Sequence, residues 1–294
     1  MTIMVCAAKE AHPLKALSFN GHLTRTAAAR RPNFLKEQYK YNSIPGVTRM
    51  AEGVYLATNI EFGVLTAGAP SFEFLPYSNL TFTAFQPESL PLTYPRTPDD
   101  TTIGPQPTLK VSLPRKAEES TFDLTTGLAY QDAQGPKTLP PFLRAYNERL
   151  GLVPAYSDWN VLVNAGATDA IAKVAEMLLE RGDAVLVEEW TYPGSTASIL
   201  PLGVELVGIK MDGEGLIPDH LEQVLAGWDE NERGAPRPRL LYTVPTGQNP
   251  TGATMTGERK KRIYDICVEY DVIILEDDPY YHLVGDPVVP GGRN

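Results

Sequence analysis

Residues Arg239 to His282, RLLYTVPTGQNPTGATMTGERKKRIYDICVEYDVIILEDDPYYH, constrain the fold more tightly than any other stretch of the chain. Leu240 to Val244 make a short apolar run with no helical period, which predicts a buried strand. Pro245, Gly247, Pro250 and Gly252 then interrupt regular structure and predict a loop. Thr256 can cap a helix in which Ile263, Ile266, Cys267 and Tyr270 recur at helical spacing, with Arg and Lys on the opposite face. Val272 to Leu275 read as a second buried strand, with Glu276, Asp277 and Asp278 at its carboxyl end. Parallel strands joined by a right-handed helical crossover end on one edge of their sheet. The Asn249 loop and the Asp277 cluster therefore face one crevice, where open α/β sheets bind ligands.

The same alternation runs upstream. Val161 to Val163 read as a strand, Asn164 to Thr168 as a tight turn, and Ile171, Val174, Ala175, Leu178 and Leu179 as the apolar face of a helix that Gly182 stops. Ala184 to Glu188 and Val204 to Ile209 are further strands, and a helix opens after Pro218. Strands alternating with helices across short links predict a doubly wound α/β domain. A small-residue turn entering a helix N-terminus presents free backbone N–H groups and the positive end of the helix dipole, which suits a phosphate. Such a turn is common in α/β proteins, and alone it specifies little.

Composition excludes several other classes. The 294 residues are 43% hydrophobic and 21% charged, in the range of ordinary globular chains. No apolar run nears the roughly 20 residues that span a bilayer. A net charge of −10 argues against general nucleic-acid binding, which needs a basic face. Two cysteines, Cys6 and Cys267, make no disulfide framework, and four scattered histidines show no metal spacing. The three acids 276–278 could by themselves hold a divalent ion. The Pro-Tyr-Tyr continuation suits a planar ring better.

Two motifs carry a family resemblance. Asn249-Pro250-Thr251-Gly252 and Asp277-Asp278-Pro279-Tyr280 stand in order, each at a strand end. With them the chain resembles the class I/II pyridoxal-phosphate aminotransferases of fold type I. The wider wording, LLYTVPTGQNPTGAT with EDDPYYHL, resembles the branch of fungal aromatic amino acid, 2-aminoadipate and kynurenine aminotransferases. The resemblance implies an incomplete doubly wound, mostly parallel sheet belonging to the large domain of that fold, with an N-terminal arm and no C-terminal small domain. It divides the chain into an arm and irregular connection at 1–120, a truncated cofactor-binding large domain at 121–282, and an unmatched tail at 283–294.

The N-terminal third is the least regular. Positions 1–50 hold eight Lys or Arg against two Glu, the bias of a mitochondrial transit peptide. HLTRTAAARRPNFLK at 22–36 and KYNSIPGV at 40–47 instead resemble the family's arm, which crosses to the partner subunit. A cytoplasmic location is expected on that reading, with a mitochondrial one as the alternative. Residues 48–64 match nothing in the family and form an unmatched insertion. The turn Leu65-Thr66-Ala67-Gly68-Ala69-Pro70 resembles the family segment whose backbone lies near the substrate carboxylate, which makes Gly68 a candidate substrate contact beside its plain reading as a Gly/Pro turn. The many prolines of 85–119 predict an extended, exposed connection.

The resemblance implies pyridoxal 5'-phosphate as cofactor, amino acids and 2-oxo acids as substrates, and a homodimer, since the family builds each site from two subunits. Asp277 matches the carboxylate beside the pyridine nitrogen, which keeps that nitrogen protonated by favouring its charged form. Asn249 and Tyr280 match the pair that hydrogen-bonds the ring's phenolic oxygen. Tyr192 matches the aromatic that stacks on the ring, against a reading as a core aromatic. Gly166, Ala167 and Thr168 match the phosphate turn, although Ala167 lacks the serine hydroxyl of relatives. Tyr130, within LAYQDAQGPKTLPPFLRAYNERL at 128–150, matches a tyrosine that reaches the cofactor phosphate of the neighbouring subunit; the alternative is a partly buried loop tyrosine. Asp278 is expected to make local hydrogen bonds.

One departure bears on activity. The family's Schiff-base lysine follows the Asp-x-x-Tyr pair by a few tens of residues and serves as anchor and base. The last lysine here is Lys261, and Lys260 and Lys261 read as solvated on a basic helix face. The Schiff-base lysine is therefore absent from this chain, and no catalytic residue is assigned. The expected sheet is also short of the strands that flank 161–163 in the family, which predicts unpaired backbone there. Three readings follow: a large part of an aminotransferase acting on an aromatic or related amino acid, a non-catalytic fragment that binds cofactor or dimerises, or another fold type I lyase or decarboxylase.

Overall fold

The structure, a computed structural model, describes residues 3–6, 72–86, 107–117, 122–131, 133–154 and 159–283. Its strands are β1 (Ile3–Cys6), β2 (Asn79–Phe85), β3 (Thr108–Pro114), β4 (Ala184–Glu188), β5 (Glu205–Ile209), β6 (Met211–Asp212), β7 (Gly215–Leu216), β8 (Leu240–Thr243) and β9 (Ile273–Asp277). Its helices are α1 (Leu124–Leu128), α2 (Leu139–Arg149), α3 (Ala167–Leu178), α4 (Pro193–Ile199), α5 (Pro218–Ala226), α6 (Glu230–Arg233) and α7 (Gly257–Glu269). The chain forms two compact units: Met1–Thr58 with Pro154–Trp159 and Asn164–Asn294, and Asn59–Val153 with Asn160–Val163.

In the second unit β2 and β3 pair antiparallel, from Asn79 opposite Pro114 to Phe85 opposite Thr108. The C-terminal end of the expected connection is extended and exposed, and in addition it is paired as a strand. Leu109, Val111 and Leu113 alternate with polar residues at the strand period and stand opposite Ala84, Phe82 and Leu80. The proline count hid that alternation. Asp123 caps α1 by accepting the Thr126 amide at 2.6 Å.

Val161–Val163 also depart from expectation. They form no strand of the sheet, and the Val163 amide donates instead to Gln134 O at 3.0 Å. Gly135 makes this approach workable. Its φ is +113°, and a Cβ there would stand 2.7 Å from Val163 Cβ.

The first unit carries the sheet expected of the doubly wound class. Its order is β1-β9-β8-β4-β5; β5, β4, β8 and β9 run parallel, and β1 lies antiparallel on β9. β4 and β8 are buried throughout, as strands covered on both faces must be. Side chains alternate between two layers. Val185, Val187, Tyr242 and Leu275 pack under α3 and α4 with Ile171 and Ile199. Leu186 and Leu241 pack under α5 and α7 with Leu221 and Ile266. Each such aliphatic side chain contributes about 1.5–3 kcal/mol by leaving water. Thr256 caps α7 through its hydroxyl, which accepts the Arg259 amide at 3.2 Å.

The short turn from α3 to β4, with Gly182 at φ +90°, fixes the helix direction. The C-terminus of α3 lies at the amino edge of the sheet, where β4 begins. Its N-terminus therefore returns to the carboxyl edge, where β4, β8 and β9 end. Ile273, Leu275 and Asp277 share the strand face that points to α3, because side chains alternate along β9.

Candidate cofactor site

Two buried carboxylates stand at this carboxyl edge, one ending β4 and one ending β9. Glu188 is 1% exposed. It accepts the Thr243 hydroxyl at 2.7 Å, the Gln248 side-chain amide at 2.9 Å and the Val244 backbone amide at 3.3 Å. Burial pushes its pKa up, and these three donors pull against that shift. Gln248 is equally buried and organises the loop after β8. Its amide nitrogen also donates to Trp190 O, and its carbonyl oxygen accepts the Thr251 amide at 2.9 Å and hydroxyl at 2.7 Å. The backbone of the loop is closed by Gln248 N to Ala253 O and Met255 N to Pro245 O. Asn249 sits half-buried at the turn of this scaffold, and the Asn249–Pro250 peptide is cis.

Asp277 is 4% exposed and differently served. Its Oδ2 accepts the Tyr242 hydroxyl at 2.8 Å, while its buried Oδ1 has no hydrogen-bond partner. Burial raises its pKa first of all; the Tyr242 hydrogen bond lowers it, and neighbouring Asp278 raises it further. The same burial drives the Tyr242 phenol far above its ordinary value, so Tyr242 is a donor at any accessible pH. Ser195 lies beside the Tyr242 hydroxyl and donates its own proton to Tyr192 O at 2.6 Å. A chain of contacts thus runs from the Tyr192 backbone through Ser195 and Tyr242 to Asp277.

Asp278 makes the local bond expected of it, accepting the Thr246 hydroxyl at 3.0 Å through Oδ2. Its Oδ1 and the Thr191 hydroxyl are also buried without partners. Tyr280 packs over the loop, and a Cβ on Gly247, where φ is +54°, would meet its side chain at 3.4 Å. Tyr192 precedes α4 with its ring across Gly194, where a Cβ would overlap the ring at 2.4 Å. Gly166 is the N-cap residue of α3, and Ala167 and Thr168 are its first helical residues, whose amides have no helical partner by geometry. Lys261 is solvated and paired with Asp265 at 2.7 Å. Lys260 is half-buried instead, close enough to Glu276 and Asp278 for its charge to oppose part of the upward pKa shift that burial gives both.

Asn249, Asp277, Tyr280, Tyr192 and the Gly166–Thr168 turn thus all belong to one edge of one unit. Tyr130 lies in the other unit, 77% exposed after α1, and Gly68 falls outside the described residues. Glu188, Tyr242, Gln248 and Thr246 belong to this edge as well, and no motif marks them. The available signal was a polar group inside or ending an otherwise apolar buried strand, which must find a partner.

A pyridine ring fits what is here. A protonated ring nitrogen is a single N–H donor, and Asp277 Oδ1 is an unmet buried acceptor on the strand face turned toward α3; Asp278 Oδ1, also unmet, belongs to the next residue, beyond the end of β9. A divalent ion would instead draw several oxygens. Among the described residues no three His, Cys, Asp or Glu gather as metal ligands.

A parallel α/β sheet with a polar loop and an unsatisfied carboxylate at its carboxyl edge defines a ligand-binding protein of the doubly wound class. The sequence profile for aminotransferase class I and II matches residues 107–290, and the chain belongs to that family. The L-tyrosine:2-oxoglutarate aminotransferase of Tapinella panuoides is 35% identical over 267 residues, covering 90% of this chain and 46% of that protein. An aromatic amino acid aminotransferase of Schizosaccharomyces pombe is 35% identical over 229 residues, covering 78% of this chain and 46% of that protein. Among solved structures, aminotransferase Aro8 from Candida albicans superposes with a TM-score of 0.74 at 28% identity, covering 95% of this chain and 53% of that one. The chain spans about half the length of these relatives.

Proposed function

We propose that this chain is the cofactor-binding portion of a pyridoxal-phosphate-dependent aminotransferase that moves the amino group of an aromatic amino acid to a 2-oxo acid. The observation that carries this reading is the unmet Oδ1 of Asp277, on the sheet face and edge to which the N-terminus of α3 also returns. The aromatic substrate class is supported by the two relatives above, which act on tyrosine or on aromatic amino acids by name.

When bound, pyridoxal phosphate supplies an electron sink for the electrons released as the amino acid loses its α-proton. Asp277 holds a proton on the ring nitrogen, because an ionised carboxylate favours the charged form of its partner. Asn249, set by the Gln248 scaffold, and Tyr280, packed on the same loop, hold the ring's phenolic oxygen. Tyr192 covers one ring face. The first-turn amides of α3 and the Thr168 hydroxyl receive the phosphate, with the helix dipole adding attraction. Tyr130 serves the phosphate of a second subunit, and Gly68 the substrate carboxylate.

Pyridoxamine 5'-phosphate is the suitable probe, since it needs no lysine. Titrated into the 294-residue chain and followed by its fluorescence, it is expected to bind saturably. Asp277→Ala should weaken that binding at least about tenfold, the scale of a hydrogen bond between charged groups. Equal binding by wild type and Asp277→Ala contradicts the reading.

A further inference from the structure

We propose that Tyr242 is the positioning residue that aims Asp277, occupying one carboxylate oxygen so that the other is left as the sole acceptor for the cofactor's ring nitrogen. The inference rests on the cofactor site proposed above and adds to it a residue and a polarity. Tyr242 is fully buried in β8, where a hydroxyl is tolerated only with a partner. Its hydroxyl faces two groups, Ser195 and Asp277. Ser195 donates its own proton to Tyr192 O, and Tyr242 donates to Asp277 Oδ2 at 2.8 Å. No other hydrogen bond to the Asp277 carboxylate occurs among the described residues, so the phenol alone fixes which oxygen is free.

The hydrogen bond also sets where the shared proton rests. A carboxylate that already accepts a phenol proton is a weaker base, so a proton between Oδ1 and the ring nitrogen stays on nitrogen. Without the phenol the carboxyl becomes more basic and free to turn. The buried pair then drifts toward neutral pyridine and carboxylic acid, which suits low dielectric. The other ionisable groups facing the pair are Asp278, beside Asp277, and Glu188, near Tyr242. Both are acids, and neither can replace the phenol as donor in its ionised form.

The test uses pyridoxamine 5'-phosphate labelled with nitrogen-15 in the ring, bound to the 294-residue chain and titrated with base. In wild type the ring nitrogen should keep the chemical shift of a protonated pyridine well into the alkaline range. In Tyr242→Phe the shift below that change should already lie partway to neutral, and the final loss of the shared proton should come about one pH unit later, a tenfold effect, because the bare carboxylate then has no donor. A melting curve of each protein checks that folding is unchanged. Site-specific 3-fluorotyrosine at position 242, a more acidic phenol of nearly the same shape, should move the change the opposite way, and it decides the matter if Tyr242→Phe does not fold. A wild-type titration retained in Tyr242→Phe, or no response to fluorination, overturns the role of Tyr242 and leaves the cofactor site standing. Failure of wild type to bind the probe overturns both.

Discussion

Glu188 and Asp277 end the strands on either side of β8 at one sheet edge, are almost equally buried, and do opposite things. All the hydrogen-bonding demand on Glu188 is met inside the protein, by Thr243, Val244 and Gln248. Asp277 receives one donor and keeps one buried oxygen unmet. A carboxylate that is buried and satisfied serves the fold, here by tying the ends of β4 and β8 to the Asn249 loop. A carboxylate that is buried and half-satisfied costs stability, and that cost makes sense where a ligand supplies the missing donor.

Truncation separates the two most sharply. Glu188→Ala would strand two side-chain donors and one backbone amide in the interior, and it should lower unfolding free energy by about 3 kcal/mol or more. Asp277→Ala strands a single donor, the Tyr242 hydroxyl, and removes a half-satisfied buried carboxyl, so chemical denaturation of the free protein should show a loss of only about 1 kcal/mol. Similar losses in both variants would erase the distinction.

A smaller effect appears in the pH dependence. Burial raises the pKa of Glu188, Glu276, Asp277 and Asp278 above ordinary values. A raised acid binds its proton more tightly when folded, so its contribution is fully present below the unfolded pKa and is lost as pH rises through the folded one. Stability of the free protein should therefore slope downward as pH climbs above the ordinary carboxylate range. Glu276→Gln should flatten the slope by about 1 kcal/mol or less, the worth of a partial shift, in denaturation curves taken at stepped pH. An unchanged slope would mean that Glu276 ionises in the folded protein as it does in the unfolded one.

Much of this edge was legible in the sequence because its signals are local. The α7 cap at Thr256, the buried strands at 184–188 and 240–243, and the loop broken by Pro245, Gly247 and Pro250 each follow from a few adjacent residues. The strand at 108–114 was hidden by prolines on either side, although Leu109, Val111 and Leu113 carried the right period. Residues 161–163 read as a strand by composition, but membership of a sheet depends on a neighbour, and neighbours are not written locally. The partners of Glu188 illustrate the same limit. Gln248 lies 60 positions away, and only the fold brings the two to 2.9 Å. Type I aminotransferase character was therefore readable from motifs, while the scaffold that orients them was not.

The most direct measurement is a crystal structure of the 294-residue chain with pyridoxamine 5'-phosphate bound. The account predicts the ring nitrogen within hydrogen-bonding distance of Asp277 Oδ1, Tyr242 still on Oδ2, and the phosphate at the first turn of α3 beside Thr168. A probe bound elsewhere, or bound with Oδ1 still without a donor, would contradict it.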